Sequence, residues 1–152
     1  MAGTYYSVQN LYPFIGSSVN TAGVITLSPV TLTATAADNR ATIGVKGMQQ
    51  LVLLVRYITG AAETNNILQM TVEFSPDGTL FYQETTEDAS ALSTVTETQT
   101  IRQFTGAAAA TTYSFRIAIP VADLDRIRIG FAESGVVTNF GTVSVLAIAS
   151  GQ

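Results

Sequence analysis

Apolar and polar residues alternate along most of the chain. In residues 67–74, every second position from Leu68 to Phe74 is apolar, and the positions between them hold Gln, Thr or Glu. A period of two places one side of a β-strand in a core and the other side in solvent. With the turn residues between the segments, the pattern predicts strands at residues 30–35, 41–45, 51–57, 67–74, 79–84, 93–104, 111–119, 126–131 and 141–149.

Short strands at this spacing are typical of a sandwich or a closed barrel. No segment has a convincing helical period, so we predict an all-β chain, an antiparallel β-sandwich or jelly-roll-like barrel of about eight or nine strands. Ser75-Pro76-Asp77-Gly78 predicts a hairpin turn, because Pro presets φ and Gly tolerates a positive φ. The predicted core consists of Leu51, Leu53, Val55, Met70, Val72, Phe74, Phe115, Ile117, Ile127, Ile129 and Val145.

Residues 1–26 have a different character, since they lack charge and any sustained period. They hold the aromatic residues Tyr5, Tyr6, Tyr12 and Phe14, whereas a disordered tail is polar and poor in aromatics. We therefore predict an extended N-terminal arm over residues 1–26, whose aromatics contact a neighbouring molecule, and a β-sandwich domain over residues 27–152. The alternative is that the arm packs on its own sandwich as an edge strand or cap.

Charged residues are few. Asp, Glu, Lys and Arg make up 12% of the 152 residues, against about 25% in a typical soluble domain. Either the outward faces are simply neutral and rich in Thr, or other subunits cover much of the surface. We favour the second interpretation and expect a homo-oligomer with closed symmetry.

The net charge and the arginines bear on the partners. A formal charge of −4 argues against a nucleic-acid partner, and no apolar run is long enough to predict a membrane span. Arg126 and Arg128 share one face of a predicted strand, and Arg116 lies on a nearby strand. These three form either a small basic stripe that pairs with an acidic neighbour or ordinary solvated charges.

Candidate catalytic chemistry is sparse. The chain has no Cys and no His, which excludes a thiol nucleophile and the usual general base near neutral pH. Asp123 and Asp125 are the best-spaced carboxylates for glycoside hydrolysis or calcium binding, and Glu84, Glu87 and Asp88 lie close together in the sequence, the last two in a predicted loop. A solvated corner before a strand explains the first group more simply, and a solvated loop explains the second. We predict no enzymatic activity, no cofactor and no metal site.

Two stretches resemble a known group of proteins. Val72-Glu-Phe-Ser-Pro-Asp-Gly-Thr-Leu-Phe-Tyr-Gln83 follows an apolar strand, and Asp125-Arg-Ile-Arg-Ile-Gly-Phe131 precedes Gly141-Thr-Val-Ser-Val145. Both are similar to hairpins in small β-sandwich proteins and domains of tailed-bacteriophage virions, although Phe81-Tyr82 stands where Trp is often found. The resemblance implies a virion protein that decorates the capsid surface. Its partners would be the major capsid protein and sister copies in a trimer, and no catalytic residues come with it.

Other functions remain open. A tail or neck component of a virion fits the same observations. A carbohydrate-binding sandwich would need exposed aromatics, for which Tyr57, Phe81 and Tyr82 are the candidates. A carboxylate-based hydrolase ranks last, for the reasons given above.

Overall fold

The predicted all-β fold is confirmed. The computed structural model describes residues 11–87, 97–99, 101–106, 108–136 and 138–151, and within them there is no α-helix. The strands are β1 (Leu11–Ile15), β2 (Ser17–Val19), β3 (Ile25–Leu27), β4 (Val30–Thr31), β5 (Arg40–Gly44), β6 (Met48–Ile58), β7 (Asn66–Ser75), β8 (Tyr82–Gln83), β9 (Thr85–Glu87), β10 (Glu97–Gln99), β11 (Ile101–Gly106), β12 (Thr112–Pro120), β13 (Arg126–Ser134) and β14 (Thr142–Gly151).

Two antiparallel sheets form the sandwich. Sheet I has the strand order β1-β14-β6-β12, and β4 also pairs with β14. Sheet II has the order β11-β7-β13-β5, and β8 also pairs with β7. Short ribbons are formed by β2 with β3 and by β9 with β10. Consecutive long strands such as β12 and β13 belong to different sheets, so the chain crosses between the layers repeatedly.

The core lies between the inner faces of the two sheets. Nine of the eleven predicted core residues are buried, and the other two, Phe74 and Phe115, are half-buried and pack against the rest. Directly opposed residues in an antiparallel pair point to the same side of the sheet. The apolar positions of neighbouring strands therefore meet on one face, which is the inner face. Further buried members are Ile15, Leu32, Val45, Tyr57, Leu68, Ile119, Val121, Phe131, Val143 and Ala147.

The predicted strand at residues 30–35 is wrong beyond Thr31, because this segment leaves sheet I and crosses to sheet II. The Thr33 carbonyl accepts a hydrogen bond from the Glu133 amide at 2.8 Å. A 3-10 helix, Ala36–Asn39, then lies over β13. Gly130 permits this crossing, since a Cβ there would lie 2.7 Å from the Ala36 carbonyl oxygen.

The predicted turn after residue 74 is confirmed. The Asp77 carboxylate accepts hydrogen bonds from the backbone amides of Thr79 at 2.8 Å and Leu80 at 2.9 Å. These amides hold the pKa of Asp77 below its usual value. Gly78 has a φ of +77°, which its missing side chain allows. The strand that follows is shorter than predicted and spans Tyr82–Gln83.

Strand β1 of the predicted arm belongs to the sandwich. β1 pairs antiparallel with β14 at the edge of sheet I, and Ile15 is buried in the core. The alternative in which the arm packs on its own sandwich as an edge strand therefore describes β1. Tyr5 and Tyr6 lie outside the described residues, as do most of the residues in the loop that contains Asp88.

Candidate interaction surface

The outer face of sheet I carries an apolar patch at its centre. Leu54 lies directly opposite Leu146, and Val52 lies opposite Ile148. These four residues, which we call the apolar patch, point away from the core, and Leu54 is 37% exposed. The strands of sheet I contain only two charged residues, Arg56 and Arg116. This face is therefore unusually apolar for a surface exposed to water.

A shallow groove borders the apolar patch. The β2–β3 hairpin places Leu27 beside Leu54 and Leu146, and the groove between them has a volume of about 320 Å³. Arg56, Ser114 and Ser144 also line it. The Ser144 hydroxyl is buried and has no hydrogen-bond partner among the described residues.

Arg128 forms an ion pair on the outer face of sheet II. Its guanidinium donates two hydrogen bonds to the carboxylate of Glu73, each 2.7 Å long. These bonds lower the pKa of Glu73 and raise the pKa of Arg128. Arg40 lies 3.5 Å from the same carboxylate. The Arg128 guanidinium also lies 4.0 Å above the Phe81 ring, so its charge is already satisfied within the chain.

The three arginines do not form one stripe. Arg126 and Arg128 share the outer face of β13 as predicted, and Arg126 pairs with Asp125 at 3.3 Å. Arg116 lies on β12, on the outer face of sheet I. The outer faces of the two sheets point in opposite directions, so Arg116 is on the other side of the sandwich. Arg116 is separated from Arg126 and Arg128 because the chain passes from sheet I to sheet II between β12 and β13.

The described aromatics of the predicted arm lie at an edge of the sandwich. Tyr12 is 42% exposed and Phe14 is half-buried against the core. Both line a groove of about 450 Å³, which has Ile43 and Met48 on its other wall.

The candidate sugar-binding aromatics do not form a platform. Tyr57 is 1% exposed and its hydroxyl is bonded to Glu133 inside the protein. Phe81 lies under Arg128, and Tyr82 is 57% exposed. The three rings therefore have three different environments, whereas a platform needs coplanar exposed faces.

Glu133 is a buried carboxylate at one end of the sandwich, two residues beyond the strand predicted at residues 126–131. Its Oε1 accepts hydrogen bonds from the Tyr57 hydroxyl and from the Asn66 amide at 2.7 Å, and its Oε2 accepts one from the Gly141 amide at 2.5 Å. Burial raises the pKa of Tyr57, and the bond to Glu133 raises it further. The signal was present, since Glu133 continues the inward alternation of Ile129 and Phe131.

A second buried carboxylate, Glu63, organises the adjacent loop. It is 5% exposed and accepts hydrogen bonds from the backbone amides of Thr138 at 2.7 Å and Asn139 at 2.8 Å. The donors named above for Glu63 and Glu133 belong to β6, β7 and the chain before β14. Both acids therefore have an evident role in holding loops together.

Two of the carboxylates considered for catalysis, Asp125 and Glu84, have structural partners. Asp125 pairs with Arg126, and Glu84 accepts hydrogen bonds from Arg102 at 2.8 and 3.3 Å. The described residues contain no group of three or more acidic side chains placed to hold a metal ion. In the same part of the chain, no helix is long and apolar enough to span a membrane.

Comparisons with known proteins identify no family. No protein-family profile and no curated protein matches the chain. A carbohydrate-binding module specific for non-crystalline cellulose, CBM28, is similar with a TM-score of 0.48 and 13% identity, over 98% of this chain and 92% of that one. A chain of infectious bursal disease virus, Gx strain, is similar with a TM-score of 0.36 and 18% identity, over 92% of this chain and 32% of that one. At these scores neither likeness bears on what this chain binds.

Proposed function

We propose that this chain is a structural virion protein that decorates the outer surface of a capsid. The observation that carries the proposal is the apolar patch, formed by Val52, Leu54, Leu146 and Ile148, on a sheet face with only two charged residues. A contiguous apolar surface on a soluble protein usually marks a site of protein association. The resemblance of the 72–83 hairpin to phage virion proteins supplies the kind of partner.

The mechanism is stabilisation by binding. A subunit that binds the assembled shell more tightly than free capsid protein shifts the equilibrium towards the shell by mass action. The outer face of sheet I offers aliphatic side chains at its centre and the hydroxyls of Ser114 and Thr112 beside them. Such a face gains free energy by burial of apolar area, about 25 cal/mol per Å². No chemical step is involved.

The binding test uses capsids purified from a virus in which the gene for this chain has been deleted. Purified protein is added back and the bound fraction is measured by co-sedimentation. We expect Leu54→Asp to weaken binding at least tenfold, because a charge replaces an exposed aliphatic side chain at the centre of the patch. Gln103→Asp, an exposed change on sheet II, is the matched control and should bind as the native chain does.

Two results would overturn the proposal. If Leu54→Asp binds like the native chain, the apolar patch is not the binding surface. If cryo-electron microscopy of native particles places the chain in the tail, or finds none on the head, decoration of the capsid is wrong. Density for the sandwich on the outer head surface, with sheet I facing the shell, would support it.

A further inference from the structure

The outermost strand of sheet I, β12, has an open edge. It runs for nine residues and pairs only with β6 among the described strands. Exposed strand edges of this length usually carry a bulge, a central Pro or several charges, which prevent pairing with another chain. β12 has a regular register from Thr112 to Pro120, and Arg116 is its only charge.

The other edge of sheet I is protected. β1 contains Pro13, and its register with β14 shifts between Pro13 and Ile15. The edges of sheet II are shorter, since β5 has five residues and β11 has six. β12 is therefore the edge that is best suited to intermolecular strand pairing within the described part of the chain.

The hydrogen bonds at the two ends of β12 identify its free backbone groups. The Thr59 amide donates to the Thr111 carbonyl, and the Val121 amide donates to the Gln49 carbonyl, each at 3.1 Å. Both bonds continue the β12–β6 register, so odd-numbered residues from 111 to 121 bond to β6. In an antiparallel ladder the intervening residues point their backbone groups to the opposite side. Within the described part of the chain, the groups without a partner belong to the exposed residues Thr112, Ser114, Arg116 and Ala118.

We propose that β12 pairs antiparallel with β12 of a second copy about a two-fold axis at Phe115. In this register Thr112 lies opposite Ala118 of the second copy, and Ser114 lies opposite Arg116. Every free N–H and C=O group of these four residues is then paired in both copies. The two copies of sheet I become one continuous sheet, with both apolar patches on the same face.

Neighbouring registers are less favourable. A shift that places Arg116 opposite itself brings two like charges together, which destabilises a cross-strand pair. The same shift places Thr112 opposite Pro120, which has no N–H to donate. A shift the other way, with Ser114 opposite itself, leaves Ala118 beyond the end of the paired strand. With the two-fold axis at Phe115, each residue that has free backbone groups lies opposite another such residue of the second copy. This self-complementarity is the reason for assigning a second copy of the chain to this edge.

The first test is the mass in solution. Sedimentation equilibrium of the native chain should show twice the chain mass at micromolar concentrations. Ser114→Pro removes an N–H that points away from β6, so the fold should be retained while the dimer dissociates. Ser114→Ala keeps the N–H and should remain dimeric, and thermal unfolding of both variants checks the fold. A monomeric native chain, a trimer, or a dimeric but folded Ser114→Pro would each overturn the proposal.

The second test reads the register by disulfide trapping. The chain has no Cys, so any disulfide that forms must join introduced Cys residues. Directly opposed residues in a hydrogen-bonded pair have Cα atoms about 5.5 Å apart, within the range for a disulfide. Oxidation should link the double variant Thr112→Cys/Ala118→Cys into dimers, whereas Ser114→Cys alone and Arg116→Cys alone should stay unlinked. Efficient linking of either single variant would show a different register and contradict the proposal.

This proposal does not depend on the proposed function. Self-association through β12 is measured without a capsid, whereas capsid binding is measured with Leu54→Asp, a change on the face and not at the edge. The trimer implied by the resemblance stays a separate prediction, and the measured mass decides between the two.

Discussion

At the scale of single residues, the buried carboxylate of Glu133 shows how this sandwich uses a charge as a structural element. Three neutral donors surround it, from Tyr57, Asn66 and Gly141, and it is 1% exposed. An ionised carboxylate accepts all three bonds, because each of its oxygens has two lone pairs. Its removal leaves buried donors without partners, which costs more than the bonds contribute on average.

We therefore predict that Glu133→Gln lowers the free energy of unfolding by about 2–3 kcal/mol. The new side-chain NH2 group would face one of the three donors that now bond to the carboxylate. In a chain of this length the melting temperature should fall by about 4–12 °C. Urea unfolding and calorimetry measure both quantities. The control is Glu84→Gln at a partly exposed ion pair, which should change stability by less than about 1 kcal/mol. Equal effects of the two changes would contradict a special role for Glu133.

Glu73 should contribute to the pH dependence of stability. The bonds from Arg128 hold its pKa below the usual value in the folded state. The folded protein therefore favours the ionised form, and the resulting stability is present above the unfolded pKa of about 4.3. It is lost as the pH falls through the lower pKa of the folded state.

Accordingly, Glu73→Gln should be less stable than the native chain at pH 7, by about 1 kcal/mol after allowance for partial exposure of the pair. The difference should shrink as the pH is lowered below about 4, because the native Glu73 then becomes neutral too. Urea unfolding at pH 7, 5 and 3 would test this. A difference that stays constant from pH 7 to pH 3 would rule out the ion pair as its source.

At the scale of elements, Gly130 explains why the 3-10 helix can lie on sheet II. A Cβ at this position would lie 2.7 Å from the Ala36 carbonyl oxygen, which belongs to the backbone and cannot rotate away. Gly130→Ala should therefore destabilise the fold by about 1–3 kcal/mol through overpacking. Gly44→Ala is the matched control, because nothing lies within 4 Å of its Cβ. If both variants unfold at the same urea concentration, the contact between the helix and β13 is not tight.

The described part of the predicted arm gives a second element-scale prediction. Deletion of residues 1–16 removes β1 and the buried Ile15, and should cost at least about 2 kcal/mol of unfolding free energy. Deletion of residues 1–10 leaves β1 in place and is the control. Thermal unfolding of both truncated chains distinguishes the cases. If the longer deletion is as stable as the native chain, β1 contributes nothing to the sandwich.

The sequence was informative where local pattern and tertiary structure agree. The alternation in β7, β12 and β13 correctly predicted both the strands and most of the core. A strand alternates between apolar and polar residues whenever one of its two faces is buried, whichever strands it pairs with. The same alternation was misleading at residues 30–35, where Leu32 is buried but the chain changes sheets. Strand pairing is a long-range property, so the sheet to which Arg116 belongs had no local signal.

At the scale of the whole molecule, the distribution of charge distinguishes the two outer faces. Sheet II carries the Glu73–Arg128 pair and Arg126, whereas the strands of sheet I hold only Arg56 and Arg116. The low charged fraction of the whole chain is therefore an average over two outer faces that differ in charge. The face of sheet II is suited to solvent, and the face of sheet I is suited to burial against another protein.

If the face of sheet I binds the shell, attachment should depend weakly on salt. Added salt screens charge pairs, and the Debye length falls to about 3 Å at 1 M, whereas burial of apolar area is not weakened by it. We predict that decorated particles keep the protein on transfer from dilute buffer to 1 M sodium chloride, and that sodium sulfate strengthens retention because it favours apolar burial. The bound fraction after gradient sedimentation is the measurement. Release of the protein in molar chloride would mean that charges such as Arg56 and Arg116 dominate the contact, and the mechanism by apolar burial would then be wrong.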